Sequence, residues 1–223
     1  MLTIKKSTMS NQVLLYLRKE IMLHKLKDGY HLKESEIAAQ LNVSRGPIRE
    51  ALTQLQKENL VEKRLNGRTV VGKFERKDIE DLYNSRILLE KAALAETNMK
   101  TFHQHLDKFY DYIKLMEDPN VKNDDETDLA FHELIIQLPA NKTLQQLWSS
   151  LNGITLTLMD ITNEYLSLRQ EAAINEHIAI IENMERGKVR DAQQALETHL
   201  TRAANHFMNA VNDITLGGEV NND

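Results

Sequence analysis

Four residues in the second half of this chain have the types and spacing to do chemistry: Asp128, His132, His177 and His199. Asp128 and His132 stand four apart, which on a helix places both on one face, beside Leu129, Ile135 and Ile136. His177 falls in the apolar stripe of Ile174, Ile178 and Ile181, and His199 in that of Leu196, Leu200, Ala203 and Phe207. His24, His31, His103 and His105 follow no such pattern and are expected at the surface or in loops. A carboxylate and three imidazoles aimed into one helical core are either separately satisfied buried polar groups or the ligands of one metal ion. Taken singly, each histidine reads best as a satisfied core residue. As a set, on faces that offer no other polar core residue, they are costly to bury unless a divalent cation joins them. With no cysteine in the chain, disulfide and thiolate chemistry are absent and any metal must sit on His, Asp or Glu. Four protein ligands would saturate a tetrahedral zinc, so a site that senses a ligand needs five- or six-coordination with positions left open.

The elements that must position these residues read almost entirely as helix. From Lys77 onward the periodicity predicts helices over about 77–97, 101–117, 123–137, 142–166, 169–186 and 188–213, punctuated by Pro119, Pro139 and Gly187. Residues 216–223, with two glycines among acidic and amide residues, are expected to form a disordered tail.

The first 75 residues follow a different plan. Val13, Leu14, Leu17, Ile21 and Met22 mark a helix over 10–27, with Ser10 as N-cap and Gly29 beyond its end. A short helix over 34–41 follows, then a tight turn at Asn42-Val43. A third helix is capped by Ser44, has Pro47 in its first turn, and turns Ile48, Leu52 and Leu55 inward. Two β-type runs, 60–64 and 68–74, are joined by Leu65-Asn66-Gly67, a strong hairpin signal. This is the order of a winged helix-turn-helix, whose last helix enters the DNA major groove. Ser44, Arg45 and Arg49 begin that helix, where side chains can reach base edges and free N–H groups can meet phosphate. Lys33 precedes the second helix, and Arg68 sits at the wing tip. Any one of these charges could be an ordinary solvated group; their order carries the reading.

Charge follows the same division. Residues 1–75 hold 14 Lys and Arg against 8 Asp and Glu, whereas the remainder hold 14 against 25. A cationic module joined to an acidic one suits a polyanion partner for the first. The hydrophobic fraction of 41% supports a buried core in each part. No apolar run approaches the roughly 18 residues of a membrane span, and Met1 to Ser10 lack a signal-peptide pattern, so a cytoplasmic location is expected. The domains so delimited are 1–75, binding DNA, and 76–215, an all-helical bundle.

The run Leu32-Lys-Glu-Ser-Glu-Ile-Ala-Ala-Gln-Leu-Asn-Val-Ser-Arg-Gly-Pro-Ile-Arg-Glu-Ala-Leu52, continuing through Leu55, Asn59-Leu60-Val61 and Gly67, resembles the GntR family of bacterial regulators. That resemblance implies operator contacts from Ser44, Arg45 and Arg49, with Gly67 and its neighbours placing the wing near the minor groove. Some relatives carry Arg where this chain has Ser35, so a base contact there does not carry over. Residues 77–210 resemble the ligand-binding FCD domain of the FadR-type branch. The similarity lies in Asp81-Leu-Tyr-x-x-Arg86-x-x-Leu-Glu90, Asp128-Leu-Ala-Phe-His132, Asn141-x-x-Leu144, Glu176-His177-x-x-Ile180 and His199-Leu200. In metal-containing members the corresponding Asp and three His hold zinc, nickel or manganese, and small carboxylic acids complete the coordination.

The resemblance makes Arg86 a candidate carboxylate clamp. An i,i+4 ion pair with Glu90 is an equally good reading of the same residue. Arg169 is a second candidate for the pocket. A homodimer on a pseudo-palindromic operator is implied, with the linker near residues 74–77 passing the effector's signal to the DNA heads and repression as the usual sense. The alternatives are a regulator that answers to the metal itself and a metal-dependent hydrolase. Against the hydrolase, no second His follows His132-Glu133 at the zinc-protease spacing.

Overall fold

Val13, Leu17 and Ile21 recur at helical spacing and are buried on one side of α1 (Met9–Met22), against Ile48, Leu52 and Leu55 of α3 (Arg45–Lys57). The structure, a computed structural model, describes residues 9–118, 124–166 and 170–219. It is mostly α, with a winged helix-turn-helix of three helices and a β-hairpin followed by an all-helical domain. Two compact units divide the chain: residues up to Glu75 together with those from Ile214 on, and Arg76–Asp213.

In the first unit α2 (Glu34–Gln40) and α3 are joined by the expected turn, where Asn42 takes the left-handed conformation at φ 52°. Strands β1 (Val61–Lys63) and β2 (Thr69–Val71) pair antiparallel, Val61 opposite Val71. Their loop has three residues, Leu65 to Gly67. Arg64 and Arg68 close it, Gly67 N–H donates to the Arg64 carbonyl, and φ at Gly67 is 79°, which only glycine adopts without strain. A third extended segment was not expected: His31 bridges Val70, with Leu32 N–H donating to Thr69 and Val71 N–H to Tyr30. It is too short for a periodic signal.

Ser10 is not the cap of α1. That helix already includes Met9, and the Ser10 hydroxyl donates to the Glu50 carboxylate. The helix stops at Met22 rather than 27, where His24 turns left-handed. Behind it, Arg18 grips Glu58 with both forks, Nε to Oε2 at 2.7 Å and Nη2 to Oε1 at 2.5 Å, tying α1 to the end of α3. Both side chains are nearly buried. Removing one member of such a pair strands a buried charge, so Arg18→Ala is expected to cost about 3 kcal/mol of stability, read from urea unfolding of the full chain.

The second unit starts with α4 (Arg76–Glu96), then α5 (Met99–Gln104) and α6 (Leu106–Glu117). One helix was expected over 101–117; the break at His105 separates two, and Asn98 caps the first by accepting from Lys100 N–H. Next come α7 (Asp124–Gln137), α8 (Lys142–Ser149) and α9 (Asn152–Leu166). The single helix expected over 142–166 is interrupted at Ser150-Leu151, whose turn redirects the chain without proline or glycine at the break. The last two are α10 (Gln170–Glu185) and α11 (Val189–Glu219). Residues 216–219, expected to be disordered, continue α11. Gly217 and Gly218 each weaken a helix by roughly 1 kcal/mol relative to Ala, and no proline follows to end it. The rest of that tail lies outside the described residues.

Phe102, Phe109, Phe131, Ile135, Leu158, Ile181 and Leu196 form the core of this unit. Its interior is more polar than the sequence suggests, since Arg86, Glu90, Thr155, Thr157 and Thr162 are buried there as well. Among the described residues, no helix is long and apolar enough to cross a membrane.

Candidate functional site

The i,i+4 spacing on α7 points Asp128 and His132 the same way, and α10 and α11 bring His177 and His199 to meet them. One ligand atom from each lies within 4.8 Å of the others. Nε2 of His132 is 3.2 Å from Nε2 of both His199 and His177, and Asp128 lies 3.4 Å from His177 and 4.0 Å from His132. The three imidazoles are buried and Asp128 is half-buried.

Two carboxylates behind the rings decide which nitrogens face inward. Glu90 accepts from His132 Nδ1 at 2.5 Å, and Glu176 accepts from His199 Nδ1 at 2.9 Å. A carboxylate can only accept, so both Nδ1 atoms carry hydrogen, and in the neutral rings both Nε2 atoms present lone pairs. Lone pairs 3.2 Å apart repel unless a cation lies among them. The donor set and its tautomers therefore fit a divalent metal ion.

Glu90, on α4, is fully buried and accepts also from Trp148 Nε1 at 2.9 Å and Arg86 Nε at 3.1 Å. In the metal-free protein burial by itself would raise its pKa, but the charge of the His132 ring when protonated, the charge of Arg86 and the hydrogen bonds from His132 and Trp148 outweigh it, holding the carboxyl at about 2. Arg86 stands beside Glu90 in a buried ion pair of 3.1 Å, with Tyr83 and Trp148 near its guanidinium. Its Nη2 makes no hydrogen bond. Glu176 accepts in addition from the exposed Arg202 at 2.7 Å. Glu90 and Glu176 lie within the sequence motifs, but spacing alone places neither behind a ligand. A glutamate on an inward helical face, and one preceding an inward histidine, were the available signals. Arg169 lies outside the described residues.

In the first unit, Ser44 occupies the N-cap of α3, but its hydroxyl makes no capping bond. Arg45 opens the helix. Arg49 Nε donates to Glu34 at 2.8 Å, and Lys33 to Glu36 at 2.6 Å, so both cations are paired with acids of α2. Gly67 and Arg68 stand exposed at the hairpin.

Comparison with known proteins matches residues 9–71 to the bacterial regulatory proteins of the gntR family and residues 81–202 to the FCD domain. The chain belongs to the GntR family, in its FCD-bearing branch. This GntR regulator is 28% identical over 201 residues to the "Probable D-xylose utilization operon transcriptional repressor" of Paenarthrobacter nicotinovorans, covering 87% of each chain. It is 30% identical over 157 residues to the gluconate operon transcriptional repressor of Bacillus subtilis, covering 67% of this chain and 63% of that one. Among solved structures it superposes on Lar, which controls expression of the Listeria monocytogenes agr system, with a TM-score of 0.67 at 20% identity, over 92% of this chain and 98% of that one. As a GntR protein it is a DNA-binding transcription regulator and not an enzyme.

Proposed function

We propose that a small carboxylic acid controls this regulator's grip on its operator by binding beside a divalent ion held by Asp128, His132, His177 and His199. The reading rests on one observation above all: carboxylates fix hydrogen on Nδ1 of His132 and His199, aiming their Nε2 lone pairs at one point. Zinc, nickel and manganese all accept imidazole and carboxylate ligands. When bound, the ion supplies Lewis-acid positions that a carboxylate oxygen can occupy. A tetrahedral ion with bonds of about 2.1 Å would set every pair of ligand atoms roughly 3.4 Å apart. The separations of 3.2 to 4.0 Å straddle that value, and we take the higher coordination number because it alone leaves room for the acid.

Arg86 would orient the acid. Its buried Nη2 lies 3.1 Å from Glu90 Oε1 without making a hydrogen bond to it, so a carboxylate arriving there would share the guanidinium with Glu90. Arg169 is the second proposed contact. The helix that carries Arg86 and Glu90 starts at Arg76, immediately after the DNA-binding elements, so repacking at Glu90 has a covalent path to them. Operator contacts are assigned to Ser44, Arg45 and Arg49, with Lys33, Gly67 and Arg68 at phosphates and the wing. We take the active species to be a homodimer on a pseudo-palindromic operator, acting as a repressor that the acid releases. The repressor names of two relatives support that sense, and a relative named for the gluconate operon makes sugar acids the first to try.

Thermal unfolding of the full chain, metal-loaded or chelated, in the presence of gluconate and other small carboxylic acids, tests the proposal. An acid at a hundred times its Kd is expected to stabilise the metal-loaded protein by about 2.7 kcal/mol and the chelated protein far less. Stabilisation independent of metal, or none by any acid, would overturn it. Operator binding that changes with metal alone would make the ion itself the signal.

A further inference from the structure

Leu65 is the most exposed large apolar side chain among the described residues, at 110% of its reference area against 72% for Leu88, the next. The fold does not ask for it. The hairpin loop is closed by the Arg64–Arg68 pair, the Gly67 N–H on the Arg64 carbonyl, and the Asn66 carboxamide accepting from Arg68 N–H, none of which involves the side chain at 65. Around it Lys63, Arg64 and Arg68 are all exposed, so a leucine stands at the centre of a cationic rim. Cations alone would suffice to hold phosphate. An apolar tip between them suits a surface with charged walls and no amino group projecting from its floor, which is what the minor groove presents at A·T pairs, where only the adenine N3 and thymine O2 acceptors line it.

From this we infer that Leu65 is a specificity-determining residue of the wing: it enters the minor groove flanking the sequence read by α3 and rejects G·C pairs there. The guanine N2 amino group projects into that groove and would meet the leucine with an unpaired donor; A·T pairs have no such group. The cations beside it supply sequence-independent attraction, and Leu65 supplies the discrimination. The inference rests on the DNA-binding function of the first unit and is independent of the metal and the acid.

The test starts from duplexes that the full-length protein enriches from a random library. Wild type is expected to select A·T pairs at the flanking step, and Leu65→Ala to bind that site about tenfold more weakly with its flanking preference lost. Replacing the flanking A·T by G·C should weaken wild type, and I·C, which lacks the amino group but keeps the major-groove pattern, should restore it. Salt dependence separates the roles: Leu65→Ala leaves the slope of log K against log salt unchanged, whereas Arg68→Ala lowers it by about 1 per wing. Both variants should unfold at the wild-type temperature. A wild-type site without flanking preference, or equal affinities for wild type and Leu65→Ala, would overturn the role of Leu65 alone. Failure of wild type to enrich any site would overturn the DNA-binding reading with it.

Discussion

Replacing Arg45 or Arg49 with alanine is expected to remove specific operator binding while leaving the fold intact. Each lies at the start of α3, with its side chain exposed, and neither contributes to the apolar face made by Ile48, Ala51, Leu52 and Leu55. A bidentate contact to a base is worth about 1–3 kcal/mol, and the proposed dimer would lose it twice, so specific affinity should fall at least about 30-fold. The two arginines start from different conditions. Arg49 is held by Glu34 across the turn, which both orients its fork and must be given up or shared when DNA arrives. Glu34→Gln should therefore alter operator affinity in wild type but not in an Arg49→Ala background. Gel-shift titrations against the enriched duplex and a scrambled one would check both expectations. Equal specific affinity in Arg45→Ala, Arg49→Ala and wild type would remove these residues from the reading of DNA.

Glu90→Gln is expected to damage the proposed metal site without touching a proposed ligand. The carboxamide keeps an oxygen for Trp148 and Arg86 but turns its NH₂ toward His132 Nδ1, which must then accept. The hydrogen moves to Nε2, the atom that faces His199 and His177, and an imidazole N–H cannot ligate. Loss of such a carboxylate behind a ligating histidine typically costs 10- to 100-fold in metal affinity, to be read by competition with a chromophoric chelator. Glu90→Ala goes further, leaving Arg86 buried without its counter-ion, and should cost about 3–5 kcal/mol of stability. The acid limb carries a sign that follows from the same contacts. A carboxyl depressed from 4.5 to about 2 contributes stability that is present above about 4.5 and is lost as the pH falls toward 2. Metal-free wild type should therefore lose stability over that window, and Glu90→Gln should lose less there. Parallel acid titrations of the two proteins would contradict the assignment.

Why Glu90 escaped the sequence reading has a physical basis. On α4 it lies four residues from Arg86, which is the spacing of a commonplace surface ion pair, and spacing does not report burial. Only packing α8 and α7 against α4 surrounds the pair with Trp148 and His132 and makes it part of a network. The same limit hid Arg18–Glu58, forty residues apart, and the paired states of Lys33 and Arg49. Breaks inside long helical stretches, at His105 and at Ser150-Leu151, were missed because neither contains the proline or glycine that marks a break locally.

The four residues first noted, Asp128, His132, His177 and His199, divide along that line. Their types, their helical faces and the winged helix-turn-helix before them were determined by local sequence, because periodicity, turn chemistry and charge act over a few residues. That three Nε2 atoms and a carboxylate meet at one point was decided by the tertiary structure, through the crossing of α7, α10 and α11. So was the direction in which each imidazole presents its lone pair, since Glu90 and Glu176, which set it for His132 and His199, approach from distant parts of the chain or from a neighbouring helix.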